Sequence, residues 1–251
     1  MNKNTKQSAY SRRPLIAIIS CLLGSAIVET HAASIAVPNS SFDSPALADG
    51  VFFEGAIASW VGSGSGTGLG GGAYNPTNAQ FPGSSGSGNL PAPASGQQAA
   101  YITISSGIVA LTASSSLTSI LTNTTYTLTI ALGSRLDFPA STTGTATISF
   151  LANDVLIPGA SISVSTNSTN IPLGTFTDLT TSFTTSASDT LAGQALKVRI
   201  AYTATTSSQL LIDNVRLDAT NVPEPATTVL VLLTAPLLFL GRKSYASIRN
   251  G

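Results

Sequence analysis

The chain is poor in the side chains that most often carry enzyme chemistry, with one Cys, one His and one Met among 251 residues. These three residues, Cys21, His31 and Met1, all lie near the N-terminus. The rest of the chain therefore has no thiol and no imidazole. This excludes disulfides, nucleophilic catalysis by Ser-His-Asp or Cys-His, and a zinc site with ordinary His and Cys ligands. Carboxylates, tyrosines and Lys197 are the acid and base groups that remain.

Charge is also scarce, at 9% of residues, and it is unevenly distributed. Residues 33–221 carry four basic and nine acidic side chains, a net charge of −5, whereas both ends of the chain are basic. A mildly acidic body with a single lysine lacks the basic surface that phosphate backbones require. We therefore expect no nucleic-acid partner.

The N-terminal residues have the three parts of an export signal. A basic segment ending at Arg12-Arg13 precedes the apolar stretch Leu15–Val28, and small residues follow up to Ala32. The apolar stretch is too short for a membrane-spanning helix of about 20 residues. We predict a signal peptide over residues 1–32, cleaved after Ala32. The arginine pair leaves twin-arginine export open, and Cys21 leaves a lipoprotein signal open.

The C-terminal residues combine a short motif, an apolar run and a basic pair. Val222, Pro223, Glu224 and Pro225 are followed by the apolar residues 226–240, and then by Arg242 and Lys243. An apolar segment that ends in a basic pair stops in a membrane with the basic side in the cytoplasm. As a helix, this segment would span about 22 Å, less than the hydrocarbon core of about 30 Å. The short length favours a transient anchor.

This arrangement resembles the PEP-CTERM sorting signal, the substrate tag of exosortase enzymes in Gram-negative bacteria. The resemblance implies that residues 222–225 are the recognition motif, that residues 226–240 form a transmembrane sorting helix, and that Arg242 and Lys243 stop it. It also implies an exosortase-type enzyme as partner. The protein would be anchored in the membrane by its C-terminus and would then reach the cell surface or extracellular matrix. Pro236 and the trailing Ser244–Gly251 depart from the usual pattern.

Between the signal peptide and the sorting signal (residues 220–251), residues 33–219 are predicted to form one all-β domain. Alternating polar and apolar residues rich in Thr, Val and Ile are typical of strands, and no helical period is present. The spacing of the strands favours a β-sandwich over βαβ units. The segments Gly62–Gly72 and Pro82–Gly96 are predicted to be exposed loops. The predicted strands are Ser34–Val37, Gln98–Ile104, Tyr126–Leu132, Thr145–Leu151, Val155–Ile157, Ile162–Val164, Phe176–Thr184, Leu196–Tyr202 and Leu210–Leu217.

Both ends of this domain are similar to those of galactose-binding-like jelly-roll domains, which include many carbohydrate-binding modules. The similarity rests on Val37–Asp43 with Ile57–Trp60 at the start, and on Leu210–Leu217 at the end. It implies a jelly-roll β-sandwich in which Asp43 and Asp213, with backbone carbonyls near Asn39, hold a structural calcium ion. Hard oxygen ligands suit that ion. The alternative is that the two aspartates are turn or capping residues.

Aromatic side chains are the candidates for sugar contact, because their faces suit the apolar side of a pyranose ring. Trp60 and Tyr74 are the predicted ligand-binding residues, with Tyr101 behind them. Tyr74 borders the glycine-rich segment and is predicted to be an exposed platform. A single Trp in a β domain is also a candidate for the core.

These features predict a non-enzymatic protein that is exported, sorted to the surface and associated with an exopolysaccharide or biofilm matrix. One alternative is a lectin-like module with a defined sugar ligand. Another is a glycosidase with Asp43 and Glu54, or Asp49 and Glu54, as acid and base. No motif supports that pairing, so no catalytic residue is predicted.

Overall fold

A computed structural model describes residues 32–84, 88–140 and 142–223, and every regular element in this part of the chain is a β-strand. Ala32 of the predicted signal peptide and residues 220–223 of the predicted sorting signal belong to it. The rest of the predicted signal peptide and of the sorting signal lies outside the described residues, including Glu224, Pro225, Arg242 and Lys243. No helix in the described part has the length and hydropathy needed to cross a bilayer.

The strands of the described residues form two sheets. In chain order they are β1 (Ala32–Ile35), β2 (Phe52–Glu54), β3 (Trp60–Thr67), β4 (Gly70–Tyr74), β5 (Ala99–Ile104), β6 (Ser106–Ala113), β7 (Thr118–Ser119), β8 (Thr124–Ser134), β9 (Thr145–Ala152), β10 (Val155–Ser165), β11 (Thr175–Thr184), β12 (Ala195–Ala204) and β13 (Ser208–Asn221). The first sheet has the order β11-β8-β13-β5-β4-β2, with β1 also paired to β13. The second has the order β10-β9-β12-β6-β3, with β7 paired to β12.

Neighbouring strands in both sheets are antiparallel, and the sheets face each other across one hydrophobic core. Strand β8 shows why: Leu128 and Ile130 point inward and are fully buried, while Thr125 and Thr129 point to the other face and bond to threonines of β11. Each such leucine or isoleucine contributes about 1.5–3 kcal/mol of burial free energy. The predicted β-sandwich is therefore confirmed.

The outer face of the first sheet is partly covered as well. The connection between β4 and β5 folds back over this face and brings Phe81 and Leu90 against Tyr101, Phe176 and Leu211. This second apolar cluster is separate from the inter-sheet core.

Most of the predicted strands are confirmed, as β5, β8, β9, β11, β12 and β13. A hairpin turn at Asn153-Asp154 joins β9 to β10, and both residues have positive φ, as a tight hairpin turn requires. Val155–Ile157 and Ile162–Val164 are parts of one strand, because β10 continues through a bulge between Leu156 and Ser161.

The prediction of a loop at Gly62–Gly72 is wrong, although residues 62–70 are exposed as predicted. This segment forms β3 and β4, which lie in different sheets and are joined at Gly68-Leu69. Its glycines allow close backbone approach, since a Cβ at Gly64 would lie 2.8 Å from the Ile108 carbonyl oxygen. The described part of Pro82–Gly96 has no strand, as predicted, but Leu90 within it is buried.

Candidate active site

Three neighbouring strands of the first sheet bring an acid and a phenol into one row. Glu54 of β2 pairs with Gly72 of β4, and Gly72 pairs with Tyr101 of β5. Residues directly opposite each other in antiparallel strands point to the same face, so Glu54 and Tyr101 share the outer face. A Cβ at Gly72 would lie 3.2 Å from Tyr101 Cε1. The glycine therefore keeps the space between the two side chains open.

This space belongs to a cavity of about 370 Å³, here called the outer cavity. Glu54, Tyr101 and Thr103 line it, together with residues 68–71. Burial raises the pKa of the Tyr101 phenol above its usual value, and the negative charge of Glu54 raises it further. The phenol is therefore protonated at neutral pH and can donate a proton, while a carboxylate on the same wall can accept one.

A second cavity of about 260 Å³, here called the inter-sheet cleft, lies at the same edge of the sandwich. Leu69, Gly70 and Gly71 border both spaces. Glycine walls bring bare backbone to the surface, and such a flat, apolar wall suits a planar ring. The other side chains of the cleft are mostly apolar and include Ile57, Ile102, Val109 and Leu111.

The structure buries both predicted sugar-contact residues. Trp60 is 3% exposed; its Nε1 donates to the Asn39 carbonyl oxygen at 3.3 Å and its ring packs against Phe42. Tyr74 is 1% exposed, because its ring is stacked on Phe52 with 3.6 Å between centroids. Neither ring presents a free face, so the expectation of an exposed Tyr74 platform is wrong and Trp60 belongs to the core.

The predicted calcium residues lie together. Asp213 is fully buried, and its Oδ2 accepts a hydrogen bond from Ser95 N at 2.6 Å. Asp43 Oδ1 accepts from Gln97 N at 3.2 Å. Burial raises the pKa of Asp213 to about 8, and the neighbouring Asp43 charge also raises it. A Cβ at Gly96 would lie 2.2 Å from Asp43 Oδ2, so only glycine permits this approach.

One oxygen of this pair has no protein partner: Asp213 Oδ1 is buried and receives no hydrogen bond. Such an orphaned buried oxygen is costly unless a proton or a cation meets it. Among the described residues, no group of three or more His, Cys, Asp or Glu side chains is placed to hold a metal. Further ligands would have to be backbone or amide oxygens, which calcium accepts. The Asn39 carbonyl already accepts hydrogen bonds from Phe42 and Trp60.

Sequence reasoning named Glu54 and Tyr101 but did not join them. It paired Glu54 with Asp43 or Asp49, and neither aspartate lines the outer cavity. The signal that was missed is the alternation of side chains between the two faces of a strand. In Gln98–Ile104, Ala100 and Ile102 face the core, so Tyr101 must face the opposite side.

The fold and site define an antiparallel β-sandwich with a proton donor and a proton acceptor in one partly apolar cavity. A protein-family model for HpiC1-like proteins, described as HpiC1 cyclase, matches residues 33–218. The match covers more than half of the chain, which therefore belongs to the HpiC1-like cyclase family. No curated protein matches the chain.

Solved cyclases from Fischerella have the same fold. The Stig cyclase Fisc from Fischerella sp. TAU, in complex with (3Z)-3-(1-methyl-2-pyrrolidinylidene)-3H-indole, is 22% identical, with 77% of this chain and 100% of that chain covered and a TM-score of 0.60. A Fischerella sp. TAU cyclase in complex with 4-(1H-indol-3-yl)butan-2-one is 22% identical over 76% of this chain and 100% of that chain, with a TM-score of 0.59. An apo cyclase from Fischerella sp. is 23% identical over 77% and 98%, with a TM-score of 0.59.

The family overturns the predicted function. The interpretation as a non-enzymatic exopolysaccharide or biofilm matrix protein is wrong, and so are the lectin-like and glycosidase alternatives, because the matching family is one of cyclases. The composition argument excluded only mechanisms that need His or Cys. Ring closure can proceed by proton transfer, which carboxylates and phenols perform.

Proposed function

We propose that this protein is a cyclase that closes a ring in a planar, largely apolar substrate by proton transfer in the outer cavity. The row of Glu54, Gly72 and Tyr101 carries the proposal, because it sets a proton acceptor and a proton donor on either side of an open space. Family membership supports ring closure as the reaction.

In the proposed reaction, Glu54 removes a proton from the nucleophilic part of the substrate. The electron pair released forms the new carbon–carbon bond of the ring. The pair displaced from the electrophilic carbon moves to a neighbouring atom, which takes the proton of Tyr101. Proton transfer from Glu54 to the Tyr101 oxygen then restores both groups. The product is an isomer of the substrate, so neither an oxidant nor a reductant is consumed.

Indole-bearing compounds are the proposed substrate class. Two of the Fischerella cyclases were solved with ligands that contain an indole or 3H-indole ring. Gly68, Gly70 and Gly71 of the outer cavity leave flat backbone for such a ring, and the N–H of an indole is a proton that Glu54 could accept.

Turnover of the full chain tests this proposal. Indole-bearing polyenes are incubated with the protein, and a product of unchanged mass but different retention is sought by liquid chromatography and mass spectrometry. Glu54→Gln and Tyr101→Phe are each expected to lower kcat by at least about a hundredfold. Asp154→Asn, an exposed acid paired with Lys197, is the control. Wild-type-like turnover by both cavity variants would refute the assignment.

A calcium ion held by Asp43 and Asp213 is proposed as a structural cofactor. The orphaned Asp213 Oδ1 and the adjacent second carboxylate fit a hard cation with oxygen ligands. Bound there, the ion would compensate two neighbouring negative charges and fix the segment 95–98 that contacts both. The proposed chemistry in the outer cavity does not pass through this ion.

The finer fold and the chain ends remain proposals. A jelly-roll connection of the two sheets, a signal peptide over residues 1–32 and a PEP-CTERM-type tail over residues 220–251 are supported by the sequence resemblances alone. Intact mass of the protein from its native cell tests the two ends. Loss of residues 1–32 and of the residues after Pro225 is expected, and a full-length chain would contradict both.

A further inference from the structure

A buried arginine lies beside the outer cavity without lining it. Arg135, next to the end of β8, is 6% exposed and forms a two-point ion pair with Asp137: Nε to Oδ1 at 2.8 Å and Nη2 to Oδ2 at 2.6 Å. Its Nη1 donates to Gln209 Oε1 at 2.8 Å. All three guanidinium nitrogens are thus occupied. Its charge is compensated, so Arg135 is not an anion site.

The first connection from Arg135 to the cavity is a stack of rings. Its guanidinium carbon lies 5.3 Å from the centroid of Phe52 and 4.9 Å from that of Tyr74. Phe52 and Tyr74 are parallel within 9°, and Phe52 meets Tyr101 edge to face, with 5.2 Å between centroids. Phe52 is 40% exposed, and its stacking on Tyr74 and its contact with the buried cation restrict the ring. The restricted ring is thus the one that Tyr101 contacts.

The second connection is a hydrogen-bond chain. Gln209 is 3% exposed and uses both ends of its amide: Oε1 accepts from Arg135, and Nε2 donates to Thr103 Oγ1 at 3.1 Å. The cation fixes which end of the amide faces it, because only the oxygen can accept. Thr103 lines the outer cavity beside Tyr101. Arg135 is therefore linked to two residues of the cavity, Tyr101 and Thr103, through one intermediate residue each.

We propose that Arg135 is a positioning residue for the outer cavity: it orients Tyr101 through Phe52 and Thr103 through Gln209. The inference rests on the proposed function in so far as Tyr101 is the proton donor. The competing role is purely structural. Asp137 also accepts from Gln80 Nε2 at 3.0 Å, so the ion pair fastens the connection between β4 and β5 to the sheet.

The two roles differ in what they do to Tyr101. In the full chain labelled with carbon-13 at tyrosine Cζ, the Tyr101 resonance is assigned with Tyr101→Phe and followed through a pH titration. Arg135→Met is expected to shift this resonance, because Phe52 loses its contact with the cation and covers Tyr101 less well. The raised pKa of Tyr101 is then expected to move closer to its usual value, because burial is its main cause. Phe52→Leu, which leaves the Arg135 ion pair intact, is expected to act in the same direction.

Two controls complete the experiment. Arg216→Met removes the other arginine of the outer face, which pairs with Asp178, and is expected to leave the Tyr101 resonance unchanged. Gln209→Leu breaks only the hydrogen-bond chain and keeps the stack.

Kinetics give a further readout. With a substrate that the protein turns over, Arg135→Met is expected to lower kcat tenfold to a hundredfold with a smaller change in KM, as misplaced catalytic groups do.

The outcomes separate the two proposals. The positioning role is overturned if the Tyr101 resonance and its titration are unchanged in both Arg135→Met and Phe52→Leu while Tm is lowered. Arg135 would then be part of a structural ion pair only. A moved Tyr101 signature supports the positioning role. A moved Tyr101 signature in these variants, together with no turnover of an indole substrate by the wild-type chain, would refute the proposed function while the positioning role stands.

Discussion

Asp43 and Asp213 lie far apart in the sequence and accept hydrogen bonds from backbone amides of one short segment, residues 95–98. Asp213 is buried and one of its oxygens is unpartnered. Two carboxylates in such an arrangement repel each other and stabilise a fold only when a proton or a cation lies between them.

The first prediction concerns calcium. Wild-type Tm at pH 7 is expected to rise by about 5 °C or more when calcium replaces a chelator, because the ion binds the folded state alone. Asp213→Asn keeps the shape of the side chain but loses the charge, and is expected to abolish this rise. Asp154→Asn, at an exposed ion pair, should keep it. A calcium-dependent Tm in Asp213→Asn would rule out the site.

The second prediction uses two glycines. Gly70 borders the outer cavity, and a Cβ there would meet only Thr103, at 3.8 Å. Gly70→Ala is therefore expected to fold normally and to raise KM about tenfold by filling substrate space. Gly62 lines the inter-sheet cleft but not the outer cavity, and a Cβ at this position would have no other atom within 4 Å. Steady-state kinetics of both variants decide the location: a larger effect of Gly62→Ala would move the reaction to the cleft.

The third prediction concerns pH. Burial by itself would raise the pKa of Asp137, but hydrogen bonds from Arg135 and Gln80 outweigh it and leave the pKa below its usual value. A lowered folded-state pKa stabilises above the unfolded pKa of about 3.9, and this contribution disappears as pH falls through the folded value. Asp137→Asn is expected to have a lower Tm than wild type at pH 6, with the gap closing below about pH 4. A gap independent of pH would contradict the ion pair's role.

The fourth prediction concerns Trp60. Trp60→Phe removes the hydrogen bond to Asn39 and part of a buried ring, and is expected to cost about 1–3 kcal/mol in urea unfolding. Turnover at a temperature where the variant remains folded should be unchanged. Lost turnover without lost stability would return Trp60 to the list of ligand contacts.

Alternation predicted the long strands because one of their faces packs on the core. Tyr126–Leu132 and Phe176–Thr184 have this pattern and lie side by side as β8 and β11. Alternation gave no prediction of strands at Gly62–Gly72, because a glycine-rich sequence is typical of a loop. In the structure these glycines allow β3 to approach β6 closely. Strand β2 has only three residues, too few for any period to be visible.

The candidate site was predictable only in its parts. Asp43 and Asp213 came together as the resemblance to galactose-binding-like domains implied. The Glu54–Tyr101 row depends on a strand pairing through Gly72, and a glycine gives no pattern that fixes register. Tyr74 was misjudged because its cover, Phe52 and Arg135, comes from distant parts of the chain.

The most direct test is where an indole compound binds. Backbone amide chemical shifts of the full chain are recorded while 4-(1H-indol-3-yl)butan-2-one is added. We predict that the shifts cluster at Glu54, Gly70–Gly72, Tyr101 and Thr103, and that Glu54→Gln weakens binding. Shifts that cluster instead at the Asp178–Arg216 ion pair or elsewhere on the sandwich, or no shifts at all, would contradict the assignment of the outer cavity as the active site.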